Sequence, residues 1–156
     1  MNILFPVVRF SDVSEKVAPF VEYYSRLCDS KVFVLRVEPA IDQYIEMRLK
    51  EAGEWLEEFI TQNLANCTIA RSDFVAGDPA AEIIKYVDNH QIDMVIIGTH
   101  GRQGLKDILF GSVAKDVISK SSAPVLTVNP HRLSDSYMSR NEACFQSFST
   151  CQNKKP

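Results

Sequence analysis

Four residues with the chemistry of an anion cradle lie along one stretch of this chain: Gly98, Gly101, Gly111 and Ser112, in the pattern Gly-x-x-Gly-x9-Gly-Ser. The pattern begins where an apolar run, Asp93-Met-Val-Ile-Ile97, stops. A strand that ends on glycine and passes through a glycine-punctuated loop into a helix exposes backbone amides, which α/β proteins present to phosphate. Gly98 and Gly101 carry no Cβ, so the backbone there can take positive φ and a ligand can approach closely. Gly111 and Ser112 open the apolar-periodic segment Val113, Val117, Ile118, so the amides of a helix N-terminus and a hydroxyl face one space. One Gly-x-x-Gly alone shapes a turn, whereas the full spacing points to a nucleotide. Arg102 and His100 sit inside the loop, either as phosphate contacts or as exposed side chains, and Lys115 and Asp116 read as a solvated helix face.

The elements that must position these residues alternate along the chain. Ile3 to Val8 is a continuous apolar run, as expected of a parallel strand buried on both faces. Val13, Val17, Phe20, Val21, Tyr24, Leu27 and Cys28 then recur at helical spacing, with Ser14 as the expected cap and Pro19 expected near the first turn, where it costs little. Lys31 to Val37 reads as a second strand. A long helix follows, with Ile41, Tyr44, Ile45, Leu49, Ala52, Trp55, Leu56, Phe59, Ile60 and Leu64 as its core stripe, Trp55 included as a packing residue and not as a stacking platform. Thr68 to Ala76 supplies a third strand, Asp78 and Pro79 the cap and first position of a helix, and Asp93 to Ile97 the fourth strand. Gly111 to Lys120 and Pro124 to Val128 are the last helix and strand. Strands alternating with helical crossovers predict a doubly wound α/β sheet of five parallel strands with helices on both faces.

In these residues the chain resembles the universal stress protein family. Gly98-x-x-Gly101-x9-Gly111-Ser112 is similar to that family's nucleotide-binding pattern, and the similarity extends over roughly residues 2 to 130. Ile3-Leu-Phe-Pro6 looks like its opening strand, Val34-Leu-Arg-Val37 like its second and Pro124-Val-Leu-Thr-Val128 like its last. The resemblance implies strand order 3-2-1-4-5, which opens a crevice at the carboxyl ends of strands one and four. It implies a small cytoplasmic domain, usually homodimeric, whose motif-bearing members bind ATP. Residue by residue it implies that Val37 meets adenine through its backbone, that Ile97 lines the base or ribose pocket, and that Gly98, Gly101, Gly111, Ser112 and Val113 hold the triphosphate beside Arg102. A divalent ion, Mg2+ or Mn2+, bridging the phosphates fits that reading, although no side chain obviously ligates it. One departure stands out. The family's first strand normally ends Pro-Thr/Val-Asp-Phe/Gly-Ser, and here Pro6-Val7-Val8-Arg9-Phe10-Ser11 places Val8 or Arg9 where that aspartate belongs. Losing one charged hydrogen bond costs about 1.5–3 kcal/mol.

Length and composition agree. The 156 residues, 46% hydrophobic and 24% charged, suit one domain over residues 1–130. Residues 131–156 are rich in Ser, Asn and Gln and read as a flexible tail, with Tyr137, Met138, Cys144, Phe145 and Phe148 as its apolar positions. A net charge of −3 offers no basic stripe for nucleic acid or an anionic membrane. No apolar run spans a bilayer and the N-terminus lacks a signal-peptide pattern, so a cytoplasmic location is expected. Cys28, Cys67, Cys144 and Cys151 show no metal-ligand or dithiol spacing and read as free thiols. Neither Gly-x-Gly-x-x-Gly nor Gly-x4-Gly-Lys-Ser/Thr is present, which argues against a dinucleotide dehydrogenase or a P-loop ATPase. His90, His100 and His131 are too dispersed to nominate a triad, so any ATP hydrolysis is expected to be slow. An apolar edge strand invites pairing with a second copy, here through Pro124, Val125, Leu126 and Val128. The expected function is a nucleotide-dependent regulatory switch in stress response that acts on a downstream protein. A nucleotide-independent dimeric adaptor and a weak adenine-nucleotide hydrolase are the alternatives.

Overall fold

Parallel strands need long crossovers, and the periodicities above supply them. The computed structural model describes residues 1–7, 12–38, 45–99 and 111–130, without the side chains at 45, 46, 48 and 49. In chain order these form β1 (Asn2–Val7), α1 (Val13–Leu27), β2 (Lys31–Glu38), α2 (Ile45–Asn63), β3 (Thr68–Ala76), α3 (Pro79–Asn89), β4 (Met94–Gly98), α4 (Ser112–Lys120) and β5 (Val125–Val128). The strands make one parallel sheet of order β3-β2-β1-β4-β5, the doubly wound arrangement expected.

Alternation along β1 sends its apolar residues to both faces. Ile3, Phe5 and Val7 join a core with Val17 and Val21 of α1 and Leu56 and Phe59 of α2. Leu4 faces the other way, into a core with Leu35, Ile83, Val87, Val95, Ile97 and Val117 beneath α3 and α4. Within α2, Ala52, Leu56 and Phe59 are buried, as is Leu64 just past its end, and Trp55 stacks on Phe59 with ring centroids 5.1 Å apart. Ile41 and Tyr44 of the expected stripe lie outside the described residues.

Several local expectations need correction. The N-cap of α1 is Asp12, while Ser14 lies inside the helix and is buried. Pro19 is not in the first turn but in the helix interior, where it removes the N–H that would bond the carbonyl of Glu15. Burial of Val17, Ala18 and Val21 on either side of it holds the helix together. Leu27 and Cys28 were expected on the buried face and are exposed, because α1 ends there and the chain turns at Asp29 with φ 47°. Ser25 takes the buried position instead, its hydroxyl donating to the Glu22 carbonyl at 2.9 Å. In α4, Ile118 is exposed and not part of the apolar face.

Strand ends differ by a residue. Asp93 is not in β4 but staples that strand to β1: its N–H donates to the Asn2 carbonyl at 2.9 Å, and its carboxylate accepts from the Asn2 N–H at 2.6 Å. β2 extends to Glu38, β5 starts at Val125, and Val8 lies outside the described residues. At α3 the cap is as expected: the Asp78 carboxylate accepts from Ala81 N–H at 2.9 Å and Pro79 occupies the first turn.

Candidate functional site

Right-handed crossovers bring the carboxyl ends of the strands and the N-termini of the following helices to one edge of the sheet. There the order of connections diverges between β1 and β4, which opens a crevice. Gly98 is the last residue of β4 at this edge, Val37 the penultimate residue of β2, and Gly111 the N-cap of α4. Gly111 has extended φ and ψ, −67° and 160°, and as a glycine it offers no side-chain oxygen to cap α4, so the first amides of this helix point toward the edge with no cap from their own N-cap residue. Ser112 is exposed beside them, and Val113 packs against the core beneath α3 and α4. Ile97 is 5% exposed, its side chain turned into that same core. Gly101, Arg102 and His100, together with Val8 and Arg9, lie outside the described residues.

Gly98 has a packing role that its place in the motif does not reveal. A Cβ built there would lie 2.4 Å from Val13 Cγ1 and 3.1 Å from Val17 Cγ2, so α1 rests directly on the end of β4. Its φ is outside the left-handed region, and the freedom Gly98 uses is therefore space and not torsion. Thr99 follows, almost fully buried, and donates its N–H (2.8 Å) and its hydroxyl (3.4 Å) to the Val128 carbonyl. The residue that leaves β4 is thus tied to the end of β5. Sequence reasoning passed over Thr99 because a threonine after a strand carries no distinguishing signal.

It also passed over a buried ion pair at the end of β2. Arg36 and Glu38 side chains are only 6% and 13% exposed. Arg36 Nε donates to Glu38 Oε1 at 2.7 Å, Arg36 Nη2 donates to the same oxygen, and the guanidinium lies 4.8 Å from the centroid of the Trp55 ring. A strand of pattern Lys-Val-Phe-Val-Leu-Arg-Val-Glu does contain the signal, since Arg36 and Glu38 fall at alternate positions after an apolar run and so share one face.

A second titratable cluster lies away from the crevice, where β3 meets α3. Tyr86, 7% exposed, donates its hydroxyl to Asp73 Oδ2 at 2.6 Å, and Arg71 Nε bonds the same oxygen. The His90 ring stacks on Tyr86 with centroids 3.8 Å apart. Burial works against ionising Asp73, but the hydrogen bonds from Arg71 and Tyr86 outweigh it and hold the carboxyl below its usual range. Burial and then the Asp73 carboxylate push the Tyr86 hydroxyl well up. Because the folded-state pKa of Asp73 is depressed, its stabilisation is present above the ordinary carboxylate range near pH 4 and is lost as the pH falls through the folded value. Urea titrations of Asp73→Asn are expected to give a lower midpoint than the parent at pH 7 and a shrinking difference below pH 4; a gap that stays constant with pH counts against this role. Burial also raises the Cys67 thiol, although the Ser25 hydroxyl opposes it, so Cys67 is not poised as a reactive thiolate. Cys28 and Cys67 are both free, and Cys144 and Cys151 lie outside the described residues. Among the described residues no three His, Cys, Asp or Glu side chains gather into a metal-binding group, and no helix is long and apolar enough to cross a membrane.

Comparison with known proteins bears on this geometry. The family model of the universal stress protein family matches residues 1–129. Universal stress protein MJ0531 of Methanocaldococcus jannaschii is 30% identical over 129 residues, 76% of each chain. Universal stress protein MJ0577 of the same organism is 48% identical over 85 residues, 54% of this chain, so the chain spans about half the length of that relative, 52%. Among solved structures, the universal stress protein of Archaeoglobus fulgidus in complex with dAMP superposes with a TM-score of 0.67 at 26% identity, covering 83% of this chain and 98% of the other.

Proposed function

This chain belongs to the universal stress protein family, and on that premise we propose that it is a cytoplasmic, ATP-binding regulatory switch and not a metabolic enzyme. The observation that carries the reading is the glycine-capped N-terminus of α4, opened by Gly111 and Ser112 at the edge where β4 ends. Amides there offer a phosphate both hydrogen bonds and the positive end of a helix dipole. A related structure holding dAMP supports an adenine nucleotide as occupant. In this reading Gly98, Gly101, Gly111, Ser112 and Val113 surround the phosphates, with Arg102 beside them, and Val37 and Ile97 flank the nucleoside. A divalent ion, Mg2+ or Mn2+, would serve here by neutralising charge on the phosphates.

Calorimetry with ATP and GTP, together with mass spectrometry of the denatured purified protein, tests this. ATP is expected to bind in preference to GTP, and Gly101→Val to abolish binding with unchanged circular dichroism. No heat and no thermal shift at millimolar ATP rejects the reading. In that case the second reading stands, a nucleotide-independent adaptor, which the packing role of Gly98 against Val13 favours because it accounts for that glycine without a ligand.

The switch is a homodimer in this reading, paired through β5. The sheet has two edges, and they are unequal. On β3 the register slips between Val32 and Phe33, leaving Ala70 unopposed as a bulge, and Arg71 and Asp73 place charges on the strand. Bulges and charges guard an edge against pairing. β5, Val-Leu-Thr-Val, carries neither. Leu126→Lys is expected to shift the protein to monomer in analytical ultracentrifugation; a parent that sediments as a monomer at every concentration sinks this. Val128 is 6% exposed and belongs to the core, so a charge there damages the fold and makes a poor probe.

A further inference from the structure

We propose that Glu38 reads the nucleoside: its carboxylate oxygen Oε2 accepts a hydrogen bond from an O–H or N–H of the nucleoside whose phosphates sit at α4. The inference rests on the nucleotide reading above. Nε and Nη2 of Arg36 both converge on Oε1, and among the described residues Oε2 accepts no hydrogen bond. A carboxylate with one oxygen anchored and the other open is an acceptor waiting for a donor.

That acceptor is preorganised. Arg36, which holds it, is itself buried and packed over the Trp55 ring, and the backbone of Glu38 is fixed where its carbonyl accepts from Gly77 N–H at 2.9 Å. Little side-chain freedom remains to be lost on binding. The position is also right. Glu38 is the last residue of β2, one beyond Val37, on the strand that runs beside β1 with Arg36 opposite Val7. Asn2–Val7 of β1 carries no carboxylate, whereas β2 ends on one at Glu38. Loss of such a charged hydrogen bond is worth about ten- to a hundred-fold in affinity.

The experiment compares ATP with inorganic triphosphate by calorimetry in Mg2+ buffer. In the parent, ATP is expected to bind more tightly than triphosphate; in Glu38→Gln the ATP affinity is expected to fall about ten- to a hundred-fold while triphosphate is unchanged. A merely structural Glu38 leaves that ratio alone. Since Glu38→Gln takes from Arg36 the carboxylate it bonds, the paired variant Arg36→Met/Glu38→Gln, which removes the buried cation as well, is measured beside it and is expected to lose the same ratio. Titration of the parent with 2′-deoxy-ATP, 3′-deoxy-ATP and inosine triphosphate separates a ribose hydroxyl from the base amine, because the ligand lacking the donor binds as ATP binds the variant. An ATP to triphosphate ratio equal in the parent and both variants overturns the role of Glu38 alone. Failure of both ligands to bind the parent overturns the nucleotide reading, and this inference with it.

Discussion

Gly98→Ala is expected to destabilise the protein by about 1–3 kcal/mol, the range for forcing extra volume into a packed core. The new Cβ would lie 2.4 Å from Val13 Cγ1, well inside any real carbon contact. Val13 cannot easily yield, because it is branched at Cβ, 3% exposed and the first residue of α1. The helix must therefore move off the end of β4, disturbing the contact of Val17 as well. Gly98→Val should be worse. Val13→Ala in the Gly98→Ala background should recover part of the loss, since it removes the methyl that the Cβ meets, and a double-mutant cycle in urea will show positive coupling between the two positions. A Gly98→Ala protein as stable as the parent contradicts this packing.

The second large effect lies at the buried ion pair. Glu38→Gln leaves the Arg36 guanidinium, 6% exposed, without its carboxylate, and breaking one side of a buried pair typically costs about 3–5 kcal/mol. The Trp55 ring remains beneath Arg36 and offsets part of that cost, so a loss of about 3 kcal/mol is expected. Arg36→Met/Glu38→Gln should be more stable than Glu38→Gln alone, because an apolar side chain of similar length replaces a buried cation that has lost the Glu38 carboxylate. Chemical denaturation of the two proteins at pH 7 decides it: if the double variant is the less stable, the pair contributes favourably in its own right and the penalty is not one of desolvation.

These effects mark what was legible before the fold was known. The glycine spacing found the edge of the sheet where β4 ends and α4 begins, and the alternating periods found five strands and four helices within a residue or a few of their bounds. Pro19 was misplaced because helix boundaries are weakly encoded: burial of Val17, Ala18 and Val21 carries α1 through the proline. Ser14 looked like a cap for the same reason, since a serine near a helix start says little about whether it lies at the cap or within the first turn. Gly98 ends β4, where the apolar run stops, while its packing role against α1 was invisible.

What the sequence by itself determined was which face of each segment is apolar and where the chain must turn, because periodicity and glycine or proline chemistry act over a few residues. With the resemblance to a known family, that was enough for the class of fold and the order of its strands. Only the tertiary structure decided which distant side chains meet. Val13 pressed onto Gly98, Thr99 tied to Val128, and Arg36 held between Glu38 and Trp55 each depend on how α1, α2 and β5 pack on the sheet. Contacts of that kind are set by the summed burial of the whole core, and no local pattern in the residues concerned announces them.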